Sequence, residues 1–224
     1  MKTFVIIPAA GSGKRFLAGI PKQFHKINGI EILVHTILKF QKAKKVDKII
    51  VAVNKDFIGK VENLVKKYRL NKVVKVVEGG KERQDSVYSA LKSIKAEPSD
   101  LICVHDAVRP LISSKEIDEL IEFASKKKSV IAAKKAIDTV KTGSNFVEDT
   151  LDREKIWLVE TPQIFTYKIL NEAFEKAYED EFYGTDESSL VERLGVKVYF
   201  YQVKGENRKI TLKEDLSFAR IFLK

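Results

Sequence analysis

Short apolar runs rich in β-branched residues alternate with amphipathic stretches as far as Lys135. The runs "TFVIIP" (3–8), "KIIVAVN" (48–54), "KVVKVV" (72–77), "LICVHD" (101–106) and "VIAAK" (130–134) have the length and composition of buried strands. Between them, "EILVHTILKFQKA" (31–43), "DFIGKVENLVKKY" (56–68), "QDSVYSALKSI" (84–94) and "SSKEIDELIEFASKKK" (113–128) have helical periodicity. Val87, Ala90, Leu91 and Ile94 share one helix face, as do Ile117, Leu120, Ile121 and Ala124. The alternation predicts an α/β fold: a Rossmann-like, mostly parallel sheet with helices on both faces. Such sheets bind ligands beyond the carboxyl ends of their strands, near the point where strand order reverses. Three loops that follow strands carry the candidate chemistry: "AAGSGKR", "EGGKERQDS" and "HDAVRP".

The rhythm breaks between about residues 136 and 164. There "IDTVKTGSNFVEDTLDREKIWLVETPQIF" alternates like antiparallel strands, with Thr-Gly-Ser-Asn as a turn signal. An isolated hairpin buries little surface. The segment therefore predicts an antiparallel arm that packs on a second subunit, with a simple flap as the alternative. "YKILNEAFEKAYE" and "TDESSLVERLG" then read as helices, "KVYFYQV" as a strand and "LKEDLSFARIFLK" as a closing helix. No repeat, low-complexity tract or linker divides the chain, so residues 1–224 are expected to form a single domain.

Composition narrows the picture. Hydrophobic residues make up 44% of the 224-residue chain, enough for a full core. No apolar run approaches the roughly 20 residues of a membrane helix, and "MKTFVIIPAA" is broken too early for a signal peptide. A cytoplasmic protein with no membrane partner is expected. Cys103 is the single cysteine, which excludes an internal disulfide; its place on an apolar strand favours inert packing. The net charge of +10 raises a nucleic-acid hypothesis. The lysines, however, are dispersed among 31 acidic residues and lack interleaved aromatics, so a solvated surface with no nucleic-acid partner is the better account.

The first loop, in "FVIIPAAGSGKRF", has the look of a phosphate cradle. A P-loop would place glycine where Pro8 stands and a hydroxyl where Arg15 stands. A dinucleotide fingerprint would need a small residue at Phe16. What remains is a looser cradle, in which glycines let backbone N–H groups approach an anion and Lys14, Arg15 and Lys22 add positive charge. The second loop, with Gly79, Gly80, an arginine and Ser86, leaves space for a flat base. The third ends a strand in Asp106, whose carboxylate can hold Mg²⁺ among phosphates.

Taken in order, "PAAGSGKR", "PKQF", "GGKERQDSV", "VHDAVRP", "DTV", "LDREKIW", "TPQIF", "TDESSLVE" and "NRKITLKEDL" resemble the 2-C-methyl-D-erythritol 4-phosphate cytidylyltransferase family over nearly the whole chain. The resemblance implies transfer of CMP from CTP to a polyol phosphate, with release of pyrophosphate. It implies Arg15 and Lys22 as catalytic residues on the triphosphate, with Gly11, Ser12, Gly13 and Lys14 as the surrounding backbone cradle. Ala9, Ala10, Gly79, Gly80 and Ser86 would frame cytosine, with Arg83 supporting that loop, and Asp106 would anchor Mg²⁺ beside the second substrate. Arg109, Thr185 and Lys209 would hold that substrate, joined by Thr139 and Arg153 from the arm of a neighbouring subunit in a homodimer. Lys81 stands where some relatives carry an acidic residue and is assigned no contact. The three histidines lack the spacing of a triad or zinc site, so structural or orienting roles are expected. Ribitol 5-phosphate cytidylyltransferase, which shares the scaffold, is the alternative.

Overall fold

The computed structural model describes residues 1–11 and 20–223. In chain order its elements are β1 (Thr3–Pro8), β2 (Lys26–Ile27), β3 (Ile30–Glu31), α1 (Ile32–Lys42), β4 (Lys48–Val53), α2 (Ile58–Lys67), β5 (Val73–Glu78), α3 (Arg83–Lys92), β6 (Leu101–Val104), α4 (Ser114–Lys127) and β7 (Ser129–Lys135). There follow β8 (Lys141–Thr142), β9 (Asp149–Thr150), β10 (Trp157–Thr166), α5 (Tyr167–Glu179), α6 (Glu187–Arg193), β11 (Tyr199–Gln202) and α7 (Glu214–Phe222).

Seven strands form one sheet in the order β11-β7-β10-β6-β1-β4-β5. Pairing is parallel from β6 through β5 and between β11 and β7, while β10 runs antiparallel to both neighbours. The chain lays β1, β4 and β5 toward one edge and then returns to place β6 on the other side of β1. The order thus reverses between β1 and β6, which puts the expected binding crevice at their carboxyl ends.

The sheet is covered on both faces, as parallel strands require. Val5 and Ile7 of β1 face a core with Phe40, Leu101, Leu120 and Ile121. Phe4 and Ile6, one position out of phase, face the opposite core with Ile102, Val104, Phe165 and Phe174. Cys103 is wholly buried, and burial pushes its thiol far up, in keeping with inert packing. Side-chain caps set the starts of α3, α4, α5 and α6. Ser113 caps α4, Thr166 caps α5 and Asp186 caps α6, while Glu82 and Asp85 form a reciprocal capping box on α3.

The antiparallel segment is narrower than its sequence suggests. Within residues 136–164, β8 and β9 alone form a separate hairpin. Residues 157–164, expected in the arm, begin β10, whose inner half lies between β6 and β7 with Gln163 opposite both Val104 and Ile131. Burial along β10 changes from mostly exposed to wholly buried at Thr161, so one ten-residue strand serves both as the base of the arm and as part of the core. Pro162 falls inside the register shift between Val159 and Gln163, where no ladder donor is needed. Among the described residues, no helix is long and apolar enough to cross a membrane.

Candidate active site

The parallel ladder runs past the strand ends and fixes the start of each chemical loop. Ala9 N–H donates to the Ala52 carbonyl at 2.6 Å, Gly79 N–H to Val53 at 2.8 Å, and His105 N–H to Ile6 at 3.0 Å. These loops enclose a cleft of about 640 Å³ whose walls include Ala9, Ala10, Gly11, Lys22, Gly80, Lys81, Arg83, Ser86, Asp106 and Lys209. That is the size of a nucleotide site.

One wall is built by close approach of backbone. A Cβ on Gly79 would stand 2.6 Å from the Ala10 Cβ and 2.8 Å from the Ser86 Oγ, and one on Gly80 would run into Asp85. The double glycine is therefore needed where the second loop passes against the first and turns into α3. Ser86 Oγ donates to the Glu82 carbonyl at 3.0 Å, inside the first turn of α3.

The opposite wall is ionic. Asp106 Oδ1 accepts from Arg83 Nε at 3.2 Å, and Oδ2 meets Lys209 Nζ at 2.9 Å and Arg109 Nε at 3.4 Å. Burial by itself would raise the Asp106 pKa, but the charges of Arg83, Lys209 and Arg109 together hold this carboxyl well below the usual carboxylate range. Arg83 also makes a parallel fork with Glu187 at 2.7 and 3.0 Å. Burial pulls the Arg83 pKa down, yet Glu187 and Asp106 overcome it and raise the guanidinium further. Arg83 thus does more than support its own loop: it joins α3 to α6 and to the end of β6.

Mg²⁺ was expected at Asp106. Both oxygens of that carboxylate are already bonded to cations, and among the described residues no three His, Cys, Asp or Glu side chains cluster as a metal-holding group. A single carboxylate suits an ion carried chiefly on phosphate oxygens and water rather than one held by the protein alone. Lys209 would then have to release Oδ2.

Of the residues expected in the site, Ser12, Gly13, Lys14 and Arg15 lie outside the described residues. Gly79 backs the cleft through Ala10 and Ser86, and Arg109 joins it through Asp106. Thr139, Arg153 and Thr185 are exposed and do not line it. Arg153 Nη1 donates to the Ile137 carbonyl at the base of the arm, at 3.2 Å. Thr185 directly precedes the Asp186 cap of α6, which Gln163 grips through its Nε2 at 2.7 Å.

Four polar residues of the site were not singled out by the sequence. Gln23 is buried, with Nε2 donating to the carbonyls of Ala9 at 2.5 Å and Gly11 at 3.2 Å, so the segment bearing Lys22 is tied to the first loop. Glu187 holds Arg83. Glu160 and Asn207 flank Arg109, whose Nη1 donates to the Asn207 carbonyl at 2.9 Å. Gln23, Glu187 and Asn207 do lie in the quoted motifs "PKQF", "TDESSLVE" and "NRKITLKEDL". Their partners are distant in sequence, so only the folded chain identifies what they do.

Comparison with known proteins places this geometry among relatives. The family model described as 2-C-methyl-D-erythritol 4-phosphate cytidylyltransferase (IspD) matches residues 3–224. The protein of that name from Syntrophus aciditrophicus is 42% identical over all of this chain and 96% of its own length. Its counterpart from Dictyoglomus thermophilum is 43% identical over 94% of this chain and 92% of its own length. The crystal structure of the Francisella tularensis enzyme superposes with a TM-score of 0.83 at 37% identity, covering 99% of both chains.

Proposed function

This chain belongs to the 2-C-methyl-D-erythritol 4-phosphate cytidylyltransferase family, and from that premise we propose how its residues divide the work. The reaction is CTP-dependent transfer of CMP to 2-C-methyl-D-erythritol 4-phosphate in the non-mevalonate route to isoprenoids. The family and the relatives above carry this acceptor in their names, which decides against ribitol 5-phosphate. The observation that carries the division of labour is the cleft's two-sided build. A floor with no room for a Cβ faces three cations gathered on one carboxylate.

A phosphate monoester has a second pKa near ~6, so at neutral pH the acceptor is already a competent anionic nucleophile. One of its oxygens forms a bond to the α-phosphorus of CTP while the α–β bridging P–O bond breaks, and its electron pair leaves with pyrophosphate. No general base is called for; the protein's task is alignment and charge neutralisation. Lys22, in the cleft wall and tied by its neighbour Gln23 to the first loop, is assigned to the triphosphate together with Arg15. Ala9, Ala10, Gly79, Gly80 and Ser86 are assigned to cytosine, since a floor of this tightness favours a small pyrimidine over a purine. Asp106, Arg109 and Lys209 are assigned to the acceptor. Mg²⁺, arriving on the triphosphate with Asp106 as its one protein carboxylate, would neutralise phosphate charge.

Thr139 and Arg153 are assigned to the cleft of a neighbouring subunit. Ile137, Phe146 and Val147 on the arm are 83%, 70% and 62% exposed, and Leu158 at its base is 57% exposed. An apolar arm of this kind calls for a covering surface, and a second copy of the chain supplies one in a homodimer. Work in the cytoplasm, without nucleic acid or membrane, completes the reading.

Pyrophosphate release with each of the four nucleoside triphosphates and Mg²⁺, using methylerythritol phosphate or ribitol 5-phosphate as acceptor, tests it. Release confined to CTP and methylerythritol phosphate, and abolished in Lys22→Ala, supports the assignment. Release with ribitol 5-phosphate changes the acceptor, and silence from folded protein overturns the reading.

A further inference from the structure

His105 lies between β6 and two residues assigned to the acceptor, Asp106 and Arg109, yet it does not line the cleft. It is wholly buried and packs against the Phe40 ring at 4.8 Å. Both ring nitrogens have polar neighbours. Nε2 is 3.0 Å from the Arg109 carbonyl oxygen, which can only accept, so Nε2 carries a hydrogen. Nδ1 is 3.2 Å from Thr161 Oγ1. That same oxygen accepts from the Asp106 N–H at 3.0 Å, which leaves its own hydrogen to donate to Nδ1.

The bonds form one directed chain. Asp106 N–H donates to Thr161 Oγ1, Thr161 Oγ1–H donates to His105 Nδ1, and His105 Nε2–H donates to the Arg109 carbonyl. Arg109 N–H donates back to the Asp106 carbonyl at 3.1 Å, closing the turn between the two residues. Thr161 is fixed from its other side. Its carbonyl accepts from Asn207 Nδ2 at 2.7 Å, and the Asn207 carbonyl in turn accepts from the Arg109 guanidinium. A histidine that merely filled the core would leave buried nitrogens to be satisfied in any convenient way. Here both are spent on the backbone ends of one functional turn, one directly and one through a strand that crosses beside it.

We propose that His105 is a positioning residue for the acceptor half of the reaction: with Thr161 it sets the backbone of the Asp106–Arg109 turn. The Asp106 carboxylate in the cleft wall, and the Arg109 guanidinium paired with it, are thereby held in place. This rests on the assignment of Asp106 and Arg109 to the polyol phosphate.

Thr161→Val keeps the side chain's shape, removes the hydroxyl and leaves both Asp106 N–H and His105 Nδ1 without a partner. Asp106 and Arg109 are assigned to binding the acceptor, so misplacing them should lower kcat/KM for methylerythritol phosphate by about tenfold or more, read chiefly as a rise in its KM. KM for CTP, which meets this turn only through the metal at Asp106, should rise far less, a split that general loss of folded enzyme does not produce. Thr161→Ser, which restores the hydroxyl, should recover most of the loss. His105→Gln keeps a donor for the Arg109 carbonyl and loses the acceptor for Thr161, so it should show the same selective rise. It also serves as the second test if Thr161→Val does not fold.

Wild-type KM for the acceptor in either folded variant, or an equal rise in both KM values, overturns the proposal. Arg109→Ala separates the two levels of inference. If it raises the acceptor KM while Thr161→Val does not, the positioning role alone fails. If Arg109→Ala leaves that KM unchanged, the assignment of Arg109 fails first.

Discussion

Arg83 and Glu187 stand 104 positions apart and meet as a parallel fork, Nη1 to Oε1 at 2.7 Å and Nη2 to Oε2 at 3.0 Å. Glu187 is almost fully buried, whereas part of the Arg83 side chain reaches the cleft. A charge so placed must be paired, and the pairing joins the start of α3, beside the loop assigned to cytosine, to the segment that starts α6.

Glu187→Ala removes one partner and leaves Arg83 facing Asp106 alone. Breaking a buried pair costs about 3–5 kcal/mol; with part of Arg83 open to solvent, a loss of about 2–3 kcal/mol is expected. Glu187→Gln, which keeps one acceptor, should lose less. Urea unfolding of the three proteins checks this. Equal stability of Glu187→Ala and wild type would mean that the fork contributes nothing to holding α6.

Gly79→Ala drives a methyl group against Ala10 and Ser86 at the floor assigned to cytosine. Overpacking of this kind costs about 1–3 kcal/mol, and placed at a binding surface it should lower kcat/KM for CTP by about tenfold or more. Gly59→Ala is the matched control. Gly59 lies in α2 with open space around it, so the substitution should stabilise the fold by roughly 0.5–1 kcal/mol and leave the kinetics unchanged. Steady-state rates at varied CTP distinguish the two.

Gln23→Glu replaces an amide donor that serves the carbonyls of Ala9 and Gly11 by a carboxylate that repels both. The segment bearing Lys22 then loses its tie to the first loop. KM for CTP and kcat should both worsen, together by about tenfold or more in kcat/KM, with KM for the acceptor nearly unchanged. An unaltered kcat/KM for CTP would show that Lys22 is placed by other contacts.

Stability should depend on pH in two separate windows. His35 is buried in α1, with Nε2 at 2.9 Å from the Ile27 carbonyl. Burial lowers its pKa against that hydrogen bond, with Lys39 lowering it further and Glu31 raising it. The unfolded histidine titrates near about 6.5, so below that pH the unfolded state binds more protons and stability falls as pH drops toward the lower folded value. Asp100 and Asp215 are shifted the other way relative to their charge. Burial would raise them, but backbone N–H bonds from Lys2 and Glu97, and from Leu212 and Thr211, hold them low. Their contribution is full above about 3.9 and is lost only as pH falls through the depressed folded values. His35→Gln keeps a donor for Ile27 and should flatten part of the upper window, leaving the lower one intact. His105, also lowered by burial, retains the rest. Urea unfolding as a function of pH checks the separation.

The parts of the site that were legible in the sequence are those set by local pattern. Strand length and β-branching located the end of β1 and, to within one and two residues, those of β5 and β6, so the loops bearing Ala9 to Gly11, Gly79 to Ser86 and Asp106 fell where the sheet places them, although β6 stops at Val104 and not at Asp106. The outer boundary of the arm was not legible, because β10 carries one strand-like pattern through two environments and only the pairing of Gln163 with Val104 and Ile131 reveals the change. Nor were the side-chain partnerships. Arg83 with Glu187, and His105 with Thr161, are side-chain pairs that leave no periodic trace. Asp186 and Glu187 look like helix-start residues, which Asp186 is and which hides what Glu187 holds.

Arg153 offers the sharpest test of the assembly. It is exposed beside the arm and does not line the cleft of its own chain, whereas Lys209 does. Arg153→Ala and Lys209→Ala should each abolish most activity as pure proteins. When the two chains are co-expressed and assort freely, half of the dimers are mixed. If Arg153 acts across subunits, each mixed dimer has one cleft with its own Lys209 and the partner's Arg153 intact, and one cleft lacking both. The preparation should then regain about a quarter of the wild-type rate, a gain neither parent shows. If Arg153 serves its own chain's cleft, every cleft in a mixed dimer lacks one of the two residues and no activity returns. Recovery therefore requires both the dimer and the crossing of the arm.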